Sequence, residues 1–326
     1  MNSLQSKLIA TRENLLVLFI WVCLITLSIS CDPKKQVADK NFDTKVSRPA
    51  FAGEHPTVLF DEAHKNIHTA DGLYEPFANL IRSDGYEIRP NQKPFSTETL
   101  GKSRILIIAN ALGPNDSNDS SAFTDDECRV VCDWVKMGGS LLLITDHAPT
   151  GSAAQSLAQQ FGVKMSKGFT EDSVNCDRPS GDFSQLVFTR ENNLLAEHPI
   201  TAGRDERERV NRVMSFTGQS MKGTEDAVGF LSLASTAVNR PPSIRVDKSD
   251  GDTRVIIEYG EPVSANGYSQ GLAFQFGRGR VVVLGEAAML TAQLDGKTKQ
   301  PFGMNVPGVD NRQLALNIMH WLSGIL

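Results

Sequence analysis

Four apolar runs along the chain each stop at a polar or charged residue. Val58-Leu59-Phe60 stops at Asp61-Glu62-Ala63-His64, Ile105 to Ile108 at Asn110, Leu141 to Ile144 at Asp146-His147, and Val281 to Leu284 at Glu286. Unbroken Val/Ile/Leu runs of this length read as strands covered on both faces, as in the centre of a parallel sheet. The segments between them carry helical spacing. Leu73, Phe77, Leu80 and Ile81 recur up to Asp84-Gly85, where glycine supplies a left-handed stop. Thr124-Asp125-Asp126-Glu127 is a capping box that opens a helix with Val131, Trp134 and Val135 inward and Gly138-Gly139 at its end. Further helices are expected over Ala153 to Phe161 and Asp310 to Ser323, the latter with Leu314, Ile318, Trp321 and Leu322 on one stripe. Tyr86-Glu87-Ile88 alternates like a short strand, and Thr253 to Tyr259, Gly271 to Gln275 and Arg280 to Leu284 read as the last strands. The alternation of strands and helices predicts an α/β fold with a doubly wound, mostly parallel sheet. From about 168 to 240 the rhythm loosens into polar residues and short candidate strands, read as an insertion or a mixed edge region packed on the sheet.

In open α/β sheets ligands bind beyond the carboxyl ends of the strands, so the residues that end these runs are the candidate site. Asp61, Glu62, His68, Asn110 and Asn305 are the expected ligand-binding positions, and His64, Asp146, His147 and Glu286 the catalytic set should the protein be an enzyme. Gly285 is read as a close-approach residue that lets Glu286 face the cleft, or equally as a turn glycine after the strand. Asp310, which could border the same pocket, is equally explained as the cap of the last helix. His64, His68 and His147 could join the carboxylates around a divalent metal, although no fixed ligand spacing such as His-Glu-x-x-His is present. The expectation is therefore no cofactor, with a divalent metal as the lesser alternative.

The N-terminus changes where such a site would work. Lys7 and Arg12 precede an uncharged stretch from Leu15 to Ser30 that ends in small residues before Cys31, the layout of a secretory signal. Its apolar part is shorter than the roughly 20 residues a spanning helix needs. Leu27-Ser28-Ile29-Ser30-Cys31 resembles a bacterial lipoprotein signal, in which the cysteine becomes the lipidated first residue. An uncleaved anchor is the alternative, and either places the domain outside the cytoplasm, on the cell envelope and facing periplasm or exterior. The expected organisation is a signal over 1–30, a flexible tether over 31–54 with few apolar residues, and an α/β domain over 55–326. Without the signal, 31 basic and 37 acidic residues remain, a net charge of −6. This balance argues against nucleic acid as a partner. With Cys31 also set aside, Cys128, Cys132 and Cys176 remain as well. Three cysteines cannot all pair, and Cys128 and Cys132, one helical turn apart, read as core-facing thiols.

Two motifs mislead. Phe60-Asp61-Glu62-Ala63-His64 looks like a helicase box, and Gly101-Lys102-Ser103 like half a phosphate loop. A phosphate loop needs glycine five positions before Gly101, where this chain has Ser96, and must lie between a strand and a helix. Here the tripeptide precedes a strand. The stretch Thr145-Asp146-His147-Ala148-Pro149-Thr150-Gly151 stands where class I glutamine amidotransferases carry a Gly-x-Cys-x-Gly elbow, and it holds no cysteine. Neither Asp146 nor His147 replaces a thiolate as acyl acceptor. Thr150 and Ser152 are the remaining hydroxyls, and Ser152 also reads as a cap for the helix behind it.

On these residues the chain resembles bacterial lipoproteins of unknown function that carry a class I glutamine amidotransferase-like, or GIFT-type, domain, a group related to proteins of gliding motility and intraflagellar transport. The resemblance rests on VLFDEAHKNIH, ILIIANAL, GGSLLLITDHAP, HPIT with its following glycine, Ser215-Phe216-Thr217-Gly218, GEAAMLTAQ and GMNVPGVDNRQLALNIMHWL, and spans most of 56–326. It implies a flavodoxin-like sheet, a lost amidotransferase elbow, and ligand binding, carbohydrate being the usual guess. Two functions follow. One is a non-catalytic domain, held to a membrane through Cys31, that recognises a small molecule, glycan or protein. The other is a hydrolase of an envelope polymer or ester, with His64 or His147 as base and Asp61, Asp146 or Glu286 orienting it or holding a metal.

Overall fold

The computed structural model describes residues 36–113, 120–247 and 254–326. The signal segment, Cys31, the start of the tether and residues 115–119 of the Asn-Asp-Ser loop lie outside them. Nine strands form the main sheet: β1 (Thr57–Asp61), β2 (Glu87–Asn91), β3 (Ile105–Ala109), β4 (Ser140–Ile144), β5 (Lys164–Met165), β6 (Met221–Lys222), β7 (Val228–Ser232), β8 (Ser269–Phe276) and β9 (Gly279–Leu284). Their order is β2-β1-β3-β4-β9-β8-β6-β5, with β7 on the side of β8. The first five run parallel, and β8, β7, β6 and β5 are added antiparallel. The expected parallel sheet is thus one half of a mixed one.

Alternation within the parallel strands builds two cores. Phe60, Ile107, Leu142 and Val282 face one side together with Phe77, Leu80 and Ile81 of α1 (Glu75–Ser83) and Leu314 and Ile318 of α3 (Asn311–Ser323). Leu59, Leu106, Leu141 and Val283 face the other with Val131 and Val135 of α2 (Asp125–Lys136). Every residue of β3 and β4 is buried, which is why their sequences do not alternate. Each such Leu or Ile contributes about 1.5–3 kcal/mol by leaving water. The edge strand β2 is mostly exposed and carries Pro90, a residue an interior strand would exclude. Gly85, at φ +100, ends α1 as expected, and a Cβ there would lie 2.1 Å from the Phe51 carbonyl oxygen. The capping box of Thr124 and Glu127 is formed. Cys128, Cys132 and Cys176 are buried free thiols.

Four expectations change. Residues 36–54 are not a free tether: Gln36–Ala38 pairs antiparallel with Ala292–Asp295, and Phe42, Val46 and Phe51 pack on the first core. Polar groups pin the same arm, with Ala50 N donating to Asp84 Oδ1 at 2.8 Å and Arg312 to the Lys45 carbonyl at 2.7 Å. The helix expected over 153–161 is two short turns, Thr150–Ala153 and Gln155–Gln160, and neither is capped by Ser152. The stretch 168–240 is no separate insertion, since β6 and β7 belong to the main sheet. Strands 176–177, 182–189 and 212–214 form a small sheet, and strands 169–171, 238–240 and 263–264 form another. Asp310 does not cap α3 with its side chain; Oδ2 instead accepts from Asn211 N at 2.7 Å and Arg212 N at 2.9 Å. Among the described residues no helix is long and apolar enough to cross a membrane.

Candidate functional site

Parallel strands β1, β3, β4 and β9 deliver their carboxyl ends to one edge of the sheet, and the strand order reverses between β1 and β3. The residues that end the four apolar runs therefore line one rim, divided between closed and half-open parts.

Over β1 the rim is closed. His64, 8% exposed, places Nδ1 2.9 Å from both carboxylate oxygens of Asp61 and Nε2 2.9 Å from Glu127 Oε1. Both ring nitrogens face acceptors, so the ring is an imidazolium between two carboxylates. Burial pulls its pKa down, but hydrogen bonding and charge from Asp61 and then Glu127 outweigh it, and the value rises above 6.5. Phe95 and Phe123 flank the ring at 4.6 and 4.8 Å between centroids. Asp61 is fully buried and also accepts from Asn66 Nδ2 at 3.0 Å. Glu127 Oε1 takes Phe95 N at 3.0 Å while Oε2 closes the capping box. Burial raises the Glu127 pKa, and the Thr124 and Phe95 amides with His64 more than reverse that. Glu62 Oε1 holds the loop by accepting from Ala70 N at 3.0 Å.

Over β3 a second cluster forms. Asn110, 2% exposed and at φ +48, donates from Nδ2 to Asp146 Oδ2 at 2.6 Å and to His68 Nδ1 at 3.1 Å, while its Oδ1 accepts Asp146 N at 2.9 Å. His68 is buried against Tyr74, and burial lowers its pKa below 6.5 against the pull of Asp146. Asp146 Oδ1 also accepts Ala287 N at 2.8 Å, tying β4 to the exit of β9.

Glu286 does not face a cleft. It is 1% exposed, and its two oxygens accept Ala288 N at 2.6 Å and Met289 N at 2.7 Å, capping the turn Ala288–Leu290. Burial and the Asp146 carboxylate push its pKa well up, opposed by these amides. Gly285 does make a close approach, since a Cβ there would lie 2.4 Å from the Gln219 carbonyl oxygen. Tyr74 completes the buried set by donating to the Ala287 carbonyl at 2.7 Å.

His147 lies apart from the other histidines. Its half-buried ring sits with Tyr259 and Phe169, and Nδ1 is 2.8 Å from the Ala148 carbonyl oxygen and 2.7 Å from the Tyr259 hydroxyl. Asn305 is engaged elsewhere, donating to Gln293 O at 2.9 Å and to Asp39 Oδ2 at 3.1 Å, where it braces the N-terminal arm. Thr150 and Ser152 are buried, and Thr150 Oγ1 is spent on the His147 carbonyl at 3.2 Å.

Asp61 and Asn110, expected to bind ligand, are thus engaged by neighbouring protein groups, as are Glu286 and Asn305. The histidines considered for a metal do not join: among the described residues no three His, Cys, Asp or Glu side chains are grouped to hold an ion. Glu127 was legible only as a helix cap, because its partner lies 63 residues away. Tyr259 and Phe169 carried no signal beyond aromatic character.

No protein-family model and no curated protein matches the sequence. Among solved structures the chain is similar to the mmIFT52 N-terminal domain, at 16% identity and a TM-score of 0.53, with 82% of this chain and 97% of that one covered. It also matches a cytoplasmic protein of Salmonella typhimurium at 13% identity and a TM-score of 0.42, covering 82% of this chain and 98% of the other. A thua-like protein from Bacteroides uniformis matches at 12% identity and 0.38, covering 84% and 94%. At these identities the first likeness speaks to the fold alone.

Proposed function

We propose that this protein is a membrane-tethered extracytoplasmic lipoprotein, anchored through Cys31, whose domain binds a carbohydrate without turning it over. The sheet order β2-β1-β3-β4-β9 supports assigning the domain to the flavodoxin-like, class I glutamine amidotransferase-like group, of GIFT type. The observation that carries the non-catalytic reading is the engagement of both ring nitrogens of His64 by carboxylates. A general base needs a lone pair within reach of the proton it takes, and this imidazolium has none to give. The same rim lacks the elbow cysteine, and the nearby hydroxyls of Thr150 and Ser152 are buried, that of Thr150 being bonded to the His147 carbonyl. Loss of the nucleophile with retention of the rim is the arrangement of a binding domain on an enzyme's scaffold.

Two measurements test this. Cells fed an alkynyl fatty acid should label the wild-type chain and not Cys31→Ala, and the variant should leave the membrane fraction. Purified protein should release no product from aryl esters or aryl glycosides. Turnover that disappears in His147→Ala would establish the hydrolase instead.

A further inference from the structure

The end of β4 carries an imidazole with one ring nitrogen held by the protein. His147 Nδ1 is engaged by the Ala148 carbonyl oxygen at 2.8 Å and the Tyr259 hydroxyl at 2.7 Å, which leaves Nε2 as the ring nitrogen for a ligand. Aromatic walls stand around it. Phe169 and Tyr259 meet His147 edge to face at 6.1 and 5.8 Å, and each other at 5.6 Å. Phe169 pairs directly with Arg240 across the small sheet, and Arg240 Nε donates to Glu171 Oε2 at 2.7 Å. Side chains two apart on a strand share a face, so Phe169, Glu171 and Arg240 project to the same side.

We propose that His147, Phe169, Tyr259 and the Arg240–Glu171 pair form a binding subsite for an uncharged, hydroxyl-bearing ring, a pyranose unit of a glycan. The inference rests on the carbohydrate-binding reading above and names where on the rim that ligand sits. Its chemistry follows from the groups present. The partly buried Tyr259 ring supplies an apolar face for the C–H side of a sugar. His147 Nε2 supplies a hydrogen-bonding partner for one hydroxyl, which can itself donate or accept. Arg240 and Glu171 already neutralise each other, so the cluster selects neither an anion nor a cation, yet their remaining N–H groups and oxygens suit hydroxyls. A few polar groups at fixed positions among aromatic rings are the usual make-up of a small-ligand site.

The test uses the full chain in detergent micelles on an array of immobilised oligosaccharides built from gluco-, galacto- and mannopyranose units. Wild-type protein should be retained on at least one of these. Tyr259→Ala and His147→Ala should each weaken that retention at least about tenfold, the scale of a lost aromatic or hydrogen-bonding contact, while Tyr259→Phe, which keeps the ring, should hold most of it. Retention unchanged in both alanine variants overturns the subsite alone. Failure of wild-type protein to bind any of the oligosaccharides overturns the carbohydrate reading as well. Should the alanine variants fail to fold, wild-type protein still decides. Diethylpyrocarbonate modifies a free imidazole nitrogen, and the retained oligosaccharide should slow modification of His147 as read by peptide mass spectrometry. Equal rates with and without it would refute the assignment.

Discussion

His64 and His147 both follow buried strands of one sheet, but they ended in opposite environments. Around His64 every polar group answers another: two carboxylates hold one imidazolium, and aromatic rings seal it. Around His147 the partners are a backbone carbonyl and a tyrosine hydroxyl, and the ring stays partly exposed. The closed part lies at the reversal of strand order, where such sheets ordinarily bind ligands. Here that crevice is filled by the protein's own groups, and the binding surface we propose lies on the β4 side. A motif rich in acid and histidine is therefore engaged internally in one place, whereas a plainer aromatic cluster carries the recognition we propose in another.

The contrast can be broken most severely at Asp61. Asp61→Ala leaves a buried imidazolium with one partner, and chemical denaturation should show a loss of about 3–5 kcal/mol. A loss below about 1 kcal/mol would mean that the closed cluster holds nothing together. Gly285→Ala comes next. Its new methyl would press on the Gln219 backbone where strand β9 leaves the sheet, and a loss of about 1–3 kcal/mol is expected in the same measurement.

The pH dependence sharpens the comparison within the closed part itself. His64 has a folded pKa above 6.5, so the stability it contributes is complete below that value and fades as pH rises through the raised one. His68 has a folded pKa below 6.5, so it withdraws stability as pH falls beneath 6.5. The stability deficit of His64→Gln should accordingly be largest in acid and narrow above neutrality. The deficit of His68→Gln should run the other way. Urea titrations at several pH values would show the two trends, and parallel curves for both variants would contradict the charge assignments. The smallest effect belongs to the half-open part: His147→Ala should change stability by no more than about 0.5 kcal/mol, as partly exposed sites usually do. A large loss there would make His147 another structural residue.

The parallel core was legible because its physics is local. Runs such as Ile105 to Ala109 bury both faces, and a strand covered on both sides has no polar alternation to show. The capping box at Thr124 and the glycine stop at Gly85 were equally readable, since each satisfies backbone groups within a few residues. The N-terminal arm was not. Its apolar residues are too sparse for a period, and what holds it is a strand over 250 residues away and side chains of α3 and Asp84.

For the rim, composition and position in the chain were enough to say that Asp61, His64, Asn110, Asp146 and Glu286 would gather at one edge, because parallel strands put their carboxyl ends together. Which of these groups would remain reachable depended on partners brought from elsewhere: Glu127 to His64, Ala287 to Asp146, Tyr259 to His147. A charged side chain in a crevice is either satisfied by the fold or left for a ligand, and that choice turns on distances of about 3 Å between residues with no relation in sequence. Local chemistry fixes the identity of the groups, and three-dimensional packing alone assigns them to stability or to recognition.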